Sequence, residues 1–247
     1  MIYVKNDHDI SLMRKAGEIV RDTLNLIEFL IKSGITTKYL DNKAEEFILK
    51  CKGKPSFKGY YGFPSTLCIS INNEVIHGIP SNKIIKDGDV VSVDCGANIH
   101  GFHADAARTF GVGNITRESE NLINVTRDSF FEGLKYIREG NRIGDVSNAI
   151  QTYVESNGYF VVKAFTGHGI GKELHEAPEV PNFGKKGFGV LLKKGMAIAV
   201  EPMVNIGTEH VKVLNDDWTV VTSDGSLSAH YENTVIVTEG EPEIITL

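Results

Sequence analysis

Cysteine is scarce. Cys51, Cys68 and Cys95 are the only three in 247 residues, too few and too scattered for a disulfide framework or a cysteine-rich zinc knuckle. They read as reduced thiols. No apolar run approaches the ~20 residues of a membrane-spanning helix. The opening Met1-Ile2-Tyr3-Val4-Lys5-Asn6-Asp7 has neither the cationic head and apolar core of an export signal nor the Arg/Ser bias of a transit peptide. A cytoplasmic location is the expectation. No long basic run is present and the net charge is −6, which argues against nucleic acid, since phosphate backbones are gripped mainly by Lys and Arg. The four lysines Lys50, Lys52, Lys54 and Lys58 read as a solvated face. The motifs GxxxxGK[ST], HExxH, GxSxG and CxxC are missing, and Gly167-x-Gly169-x-Gly171 lacks the spacing of a dinucleotide loop. Without heptads or a long apolar edge patch, a monomer is expected.

The composition, 41% hydrophobic and 23% charged, is that of an ordinary globular protein. A chain of this length buries about 70–75% of its extended surface, enough for one substantial core, so residues 1–247 are expected to form a single domain. Apolar spacing predicts a long helix over 9–32, with Asp7 or Asp9 as cap, and a second from Thr36 or Thr37 to just before Lys52. Both are expected to cover a sheet. Strands are predicted over 67–71 and 90–94, with 101–110 as the return arm of a hairpin, then helices over 116–138 and 144–156. Further strands follow over 160–162, 197–200, 218–221 and 231–238. Lys86 to Asp94 aligns without gaps on Lys193 to Glu201 at a constant separation of 107 residues. Each copy is a lysine, a glycine turn, an apolar strand and a carboxylate. This echo predicts two related α/β halves whose carboxylates face each other near a pseudo-two-fold axis.

Four acidic residues have apolar company. Asp94 ends one predicted strand, and Asp105 lies 11 residues later in the arm that should pair with it. Eleven is odd, so simple alternation puts the two on opposite faces unless a turn reversal or a bulge intervenes. Glu201 follows an apolar run and precedes Pro202; Glu232 is read as lying inside a β-branched strand. Buried carboxylates are costly unless paired or metal-bound. If the four converge, one divalent ion half neutralises them and two fit the charge better. An imidazole would complete a transition-metal site, and His168, in the glycine loop Thr166 to Gly171, is the candidate. His77, in a turn after a strand, and His175 could donate to a carbonyl oxygen or relay a proton, or be surface histidines. Cys95 reads as a small buried hydrophobe.

These stretches resemble the type I methionine aminopeptidases of family M24 over nearly the whole chain. The likeness rests on Cys68 to Asn72 with Val75 to Pro80, Val93-Asp94 to Ala104-Asp105, Gly167 to Gly171 with His175-Glu176, Glu201-Pro202-Met203, and His230 to Thr234. The resemblance implies an α/β (α+β) pita-bread fold: two pseudo-symmetric halves, with a curved antiparallel sheet covered by helices. It implies two divalent ions, Mn, Fe, Co or Zn, with Asp94 as a bidentate ligand, Asp105 and Glu232 bridging, and His168 and Glu201 on the second ion. Glu201 would also be general base, His175 would contact the scissile carbonyl, and His77 would sit near the substrate amide. Phe57, Tyr60, Phe63, Cys68, Leu174 and Trp218 fall where the family lines its methionine pocket. Phe57 stands where bacterial relatives often carry cysteine, and Leu174 where many carry phenylalanine. The implied activity is removal of the initiator methionine from nascent chains and peptides with a small second residue. A transient ribosome contact through Lys50 to Lys58 is the one partner hint. An Xaa-Pro hydrolase of the same fold, a peptide-binding module that has lost catalysis, and a small-molecule amidohydrolase are the alternatives. The segment 182–189 reads as a surface excursion without an assigned role.

Overall fold

The computed structural model describes residues 2–247; Met1 of the opening segment lies outside them. Helix α1 (Asp7–Leu30) buries one stripe, including Met13, Val20, Leu24 and Ile27. Its cap is Asn6, in place of Asp7 or Asp9. The Asn6 side chain accepts the Asp9 N–H while the Asp9 carboxylate accepts the Asn6 N–H, a reciprocal box that uses Asp9 as the third helical residue. Helix α2 (Thr37–Lys50) is capped by Thr36. Strands β1 (Leu67–Ile71) and β3 (Phe102–Gly111) flank the inner strand β2 (Val90–Ile99), all antiparallel.

The second half repeats this order. Helices α3 (Arg117–Leu134) and α4 (Ile143–Ser156) precede a sheet of β4 (Gly167–Gly169), β5 (Glu176–Val180), β6 (Ala197–Val200) and β7 (Asn233–Ile236). Its spatial order is β7-β6-β4-β5, with Glu243–Ile244 outside β7. The two segments of the 107-residue echo therefore run into β2 and β6, the inner strands of the two sheets. Each helix pair packs on its own sheet: Leu24 and Ile27 with Val91 and Val93 in one core, Phe130 and Ile150 with Ile198 and Val200 in the other.

The halves meet through β3 and β7. Ala107 and Glu232 exchange both backbone hydrogen bonds, at 3.3 and 3.0 Å, and the Asp105 N–H donates to Thr234 Oγ1 at 3.0 Å. Arg108 fastens the join by donating to the carbonyls of Ala107, Glu232 and Thr246 and to Asn233 Oδ1, with its guanidinium 4.5 Å over the Tyr231 ring. A small third sheet of Glu74–Ile76, Val220–Thr222 and Val211–Val213 brings residue 77 beside residue 218. No helix among the described residues is long and apolar enough to cross a membrane.

Several sequence expectations are corrected. β2 continues to Ile99, so Asp94 sits in mid-strand. Asp94 and Asp105 share a face because the chain reverses through the two residues His100 (φ 53°) and Gly101 (φ 83°), with no bulge between. Such a tight turn pairs Ile99 with Phe102, Asp94 with Ala107 and Gly96 with Asp105, and across it an odd separation keeps residues on one side. The glycine loop is strand β4. A Cβ on Gly167 would lie 2.3 Å from the Ala199 carbonyl oxygen, so glycine is what allows β4 to approach β6. Glu232 falls in a break between the strand Ser228–His230 and β7 rather than inside a strand. The strand read over 218–221 is Val220–Thr222, because Asp216 accepts from the N–H groups of Trp218 and Thr219 and closes a turn there. The helix read to residue 138 stops at Leu134.

Gly167→Ala is expected to lower stability by about 1–3 kcal/mol, the usual cost of overpacking an interior. A urea midpoint that falls at unchanged slope would agree, and an unchanged midpoint would contradict the close approach.

Candidate active site and metal centre

One cleft of about 150 Å³ collects all the residues singled out above: Phe57, Tyr60, Phe63, Cys68, His77, Asp94, Asp105, His168, Leu174, His175, Glu201, Trp218 and Glu232. Asp94 and Asp105 come from β2 and β3, and His168 from β4. Glu201 comes from the residue after β6, and Glu232 from the break before β7. The cleft thus straddles the join of the halves. Donor atoms of Asp105, His168 and Glu232 lie within 4.8 Å of one another, the spacing of a cation site. His168 Nε2 is 3.4 Å from Asp105 Oδ2 and 3.6 Å from Glu201 Oε1.

The orientation of His168 follows from its other nitrogen. Nδ1 is 2.9 Å from the Gly169 carbonyl oxygen, which only accepts, so Nδ1 carries the proton. Nε2 then points a lone pair at two carboxylates. Burial pushes this imidazole down to about 4, so it stays neutral across the physiological range. A neutral nitrogen lone pair facing carboxylate oxygens is repulsive unless a cation lies between them. Fixing a ligand histidine through its second nitrogen is also what orients it for a metal.

The carboxyls give the same reading. Burial lifts Asp105 to about 6, against the pull of His175 and of the Thr234 hydroxyl, which donates to Asp105 Oδ1 at 3.0 Å. Asp94, Glu201 and Glu232 are pushed well above the usual carboxylate range by burial and by the charge of Asp105. Asp94 Oδ1 is buried with no hydrogen-bond partner. Buried acids that repel one another, one of them with an orphaned oxygen, fit a site built for divalent cations.

The walls differ in character. Phe63 packs edge-on against Trp218 at 5.1 Å between ring centres, and Cys68 on β1 is the cross-strand partner of Asp94. Burial raises the Cys68 thiol, so it stays protonated and apolar. His175 sits edge-on to His168, ring centres 4.2 Å apart, and its Nδ1 is 3.0 Å from the Tyr60 hydroxyl. A phenol donating to Nδ1 leaves Nε2–H free as a donor. His77 has a left-handed backbone, φ 59°, a conformation uncommon for a non-glycine residue and typical of functional turns. Burial, and the His175 ring, push its imidazole down to about 4.

Sequence reasoning missed several residues. Tyr61, also at φ 47°, presents an exposed ring at the cleft and packs edge-on against Tyr60 at 4.6 Å. Asn182 donates to the Glu201 carbonyl at 2.9 Å, so the 182–189 excursion begins by holding the backbone of a site residue. Lys5 and Glu176 form a buried pair at 2.7 Å, and Glu176 also accepts the N–H groups of Lys172 and Glu173, bracing the loop that carries Leu174 and His175. Glu176 falls in a stretch that carries the family likeness and Asn182 opens the 182–189 segment, but nothing in the sequence marks the contacts that any of these residues makes.

The model of metallopeptidase family M24 matches residues 11–239. With a buried metal-binding cluster at the join of a duplicated fold, the chain belongs to that family. The methionine aminopeptidase of Clostridium perfringens is 59% identical over 247 residues, covering 100% of this chain and 99% of the relative. Among solved structures, the methionine aminopeptidases of Thermotoga maritima (44% identity) and Rickettsia prowazekii (40%) superpose with TM-scores of 0.98, over 100% of this chain and 99% and 100% of theirs. The fold is the pita-bread fold, curved antiparallel sheets under covering helices.

Burial lifts Asp105 to about 6 and pushes Asp94, Glu201 and Glu232 up as well, so carboxyl protonation rather than protonation of His168 limits cation binding in weak acid. Each protonated carboxyl must lose its proton before it can hold an ion. Affinity for Mn²⁺ is therefore expected to fall at least about tenfold per pH unit below pH 6, more steeply where more than one proton is displaced. Calorimetric titration at several pH values tests this, and a flat profile between pH 6 and 5 would sink it.

Proposed function

We propose that the chain is a metal-dependent methionyl aminopeptidase that acts as one catalytic unit over 1–247 and removes methionine from peptides and nascent chains with a small second residue. The observation that carries this reading is the meeting of the buried acids and the His168 lone pair beside an apolar, aromatic-lined recess. Two divalent ions match the four carboxylates in charge better than one. Asp94 would hold one, His168 and Glu201 the other, with Asp105 and Glu232 shared. Such ions supply Lewis acidity and an activated water, and give a neutral substrate amine a point of attachment.

The chain's own groups do the rest. Phe57, Tyr60, Phe63, Cys68, Leu174 and Trp218 surround a methionine side chain, whose thioether packs favourably on aromatic edges. His175, its Nδ1 engaged by Tyr60, offers Nε2–H to the scissile carbonyl oxygen and stabilises the charge that develops there. Glu201 accepts a proton from water and returns it to the leaving amine. His77 lies near the substrate amide and steers that proton. An internal residue has no free amine, so the reaction is confined to chain ends. Cytoplasmic nascent chains, and a transient ribosome contact through Lys50 to Lys58, belong to the same reading.

Four assays test it. Met-Ala-Ser should be cleaved and its N-acetylated form should not; equal cleavage of both would favour an amidohydrolase, and cleavage of Ala-Pro-Ser instead would favour a proline-directed enzyme. Met-Lys and Met-Trp peptides should be poor substrates, and equal rates for Met-Ala, Met-Lys and Met-Trp would contradict the small second residue. Asp105→Asn or Glu232→Gln should lower turnover at least 100-fold with the fold retained, whereas near-normal turnover in fully metallated protein would reject their sharing of ions. His175→Ala should lower kcat by about 100-fold, the usual cost of one oxyanion donor, with metal content unchanged; an effect on KM alone would remove His175 from the chemistry.

A further inference from the structure

A second cavity, about 250 Å³, shares no residue with the metal cleft. It lies on the other face of β3. Asp105 and Arg108 are three residues apart on that strand and so point to opposite sides of it. Arg108 lines this cavity, and α1 and α3 wall it through Arg21, Leu24, Asn25 and Glu28 on one side and Ile123 and Arg127 on the other. Arg21 and Arg127 come from the first helix of each half, and each is followed by an aspartate it pairs with, Asp22 and Asp128. The cavity therefore sits where the two halves come together, with one guanidinium from each half at its mouth.

Three guanidiniums and one carboxylate, Glu28, line the cavity; Arg21 and Arg127 are paired with Asp22 and Asp128, so Arg108 is the cation left without a carboxylate partner. The Arg21 bond to Asp22 uses Nε, leaving both of its terminal nitrogens free. Arg108 is largely withdrawn from water, yet its partners are three carbonyls and one amide oxygen, and it forms no ion pair with a carboxylate of the described residues. Buried cations are ordinarily matched by an anion. His230 also lines the cavity; it is 2% exposed and its Nε2 has no hydrogen-bond partner. An orphaned buried nitrogen beside an uncompensated guanidinium is the kind of defect a bound group repairs.

We propose that this cavity is a binding site for a phosphate-type oxyanion, either free phosphate or the phosphate of a small phosphomonoester. A carboxylate is satisfied by one guanidinium in a two-pronged contact. Donors arriving from α1, α3, β3 and the Ser228–His230 strand call for an acceptor with oxygens in several directions. Recession of Arg108 and His230 at the base suits a compact ion rather than the backbone of a long polyanion, which needs an open track. Occupancy would tie α1 to α3 and hold Arg108, whose Nη1 bonds the Glu232 carbonyl, against the rear of the metal centre.

Calorimetric titration of the metal-loaded full chain with inorganic phosphate and with methyl phosphate, at ionic strength fixed with chloride, tests the assignment. Saturable one-site binding is expected, weakened at least tenfold in the double variant R21Q/R127Q. Both replaced side chains are at the exposed mouth, so the fold should persist, and circular dichroism verifies that. Tighter binding of methyl phosphate assigns the site to a phosphomonoester, and tighter binding of inorganic phosphate assigns it to the free ion. Absence of saturable binding overturns the proposal. So does equal binding by wild type and R21Q/R127Q, because the anion would then be on the metal ions. Binding of a short RNA but not of phosphate, lost in R21Q/R127Q, overturns it in favour of a nucleic-acid surface.

Discussion

Mutual repulsion among acids withdrawn from water is the constraint around which this molecule is built. Asp105 and Glu232 are nearly inaccessible, at 2% and 3% exposure, and the two further carboxyls beside them are raised by the same burial. Without compensation such a group takes up protons. The fold holds the carboxyls together because each is anchored by its backbone: Asp94 in mid-strand, Asp105 through the Thr234 hydroxyl, Glu201 through Asn182, Glu232 through paired hydrogen bonds to Ala107. A preorganised cluster with no internal cation pays its electrostatic penalty in the folded state, and relief of that penalty is binding energy for metal.

Duplication explains how so few strands concentrate so much charge. Corresponding inner strands deliver Asp94 and Glu201, and the strands beside them, which touch at the join, deliver Asp105 and the residue preceding β7. The same geometry has a consequence on the helix side, where α1 and α3 bring like-charged arginines together over Arg108. The acids gather on one face of β3, and Arg108, which no carboxylate matches, lies on the other. Alternation of side chains along that single strand is what separates them.

The apolar walls are positioned by different means. The turn at His77 and the turn at Trp218 belong to a small third sheet, whose pairing of Val220 with Ile76 sets the two rings 6.4 Å apart. Leu174 and His175 ride on a loop closed by Glu176, whose charge is met by Lys5 from the far N-terminal end. The metal centre is thus carried on the two main sheets, and the residues that would touch substrate, Cys68 on β1 apart, are carried on turns and loops fastened to them. Such a division leaves pocket shape free to vary at positions like Phe57 and Leu174 without moving a ligand.

Much of this was legible in the amino-acid sequence. Apolar spacing located all four helices, because an amphipathic stripe is a local property, and the 107-residue echo announced the duplication. The four acids stood out because carboxylates among apolar neighbours are anomalous wherever the chain places them, and His168 because it is the one imidazole in a run of glycines. What sequence alone could not decide depends on the path between elements. Parity left Asp94 and Asp105 on one face only if a turn reversal or a bulge came between them, and it is the two-residue turn at His100 and Gly101 that sets the register. The glycines around His168 looked like a loop because glycine disfavours strands locally, and only the approach of the Ala199 carbonyl shows why a strand there requires them. The contacts of Arg108, of Asn182 and of the Lys5–Glu176 pair have no local signature, since the partners lie up to 171 residues away. Local composition determined which residues were out of place; three-dimensional closure determined what each of them meets.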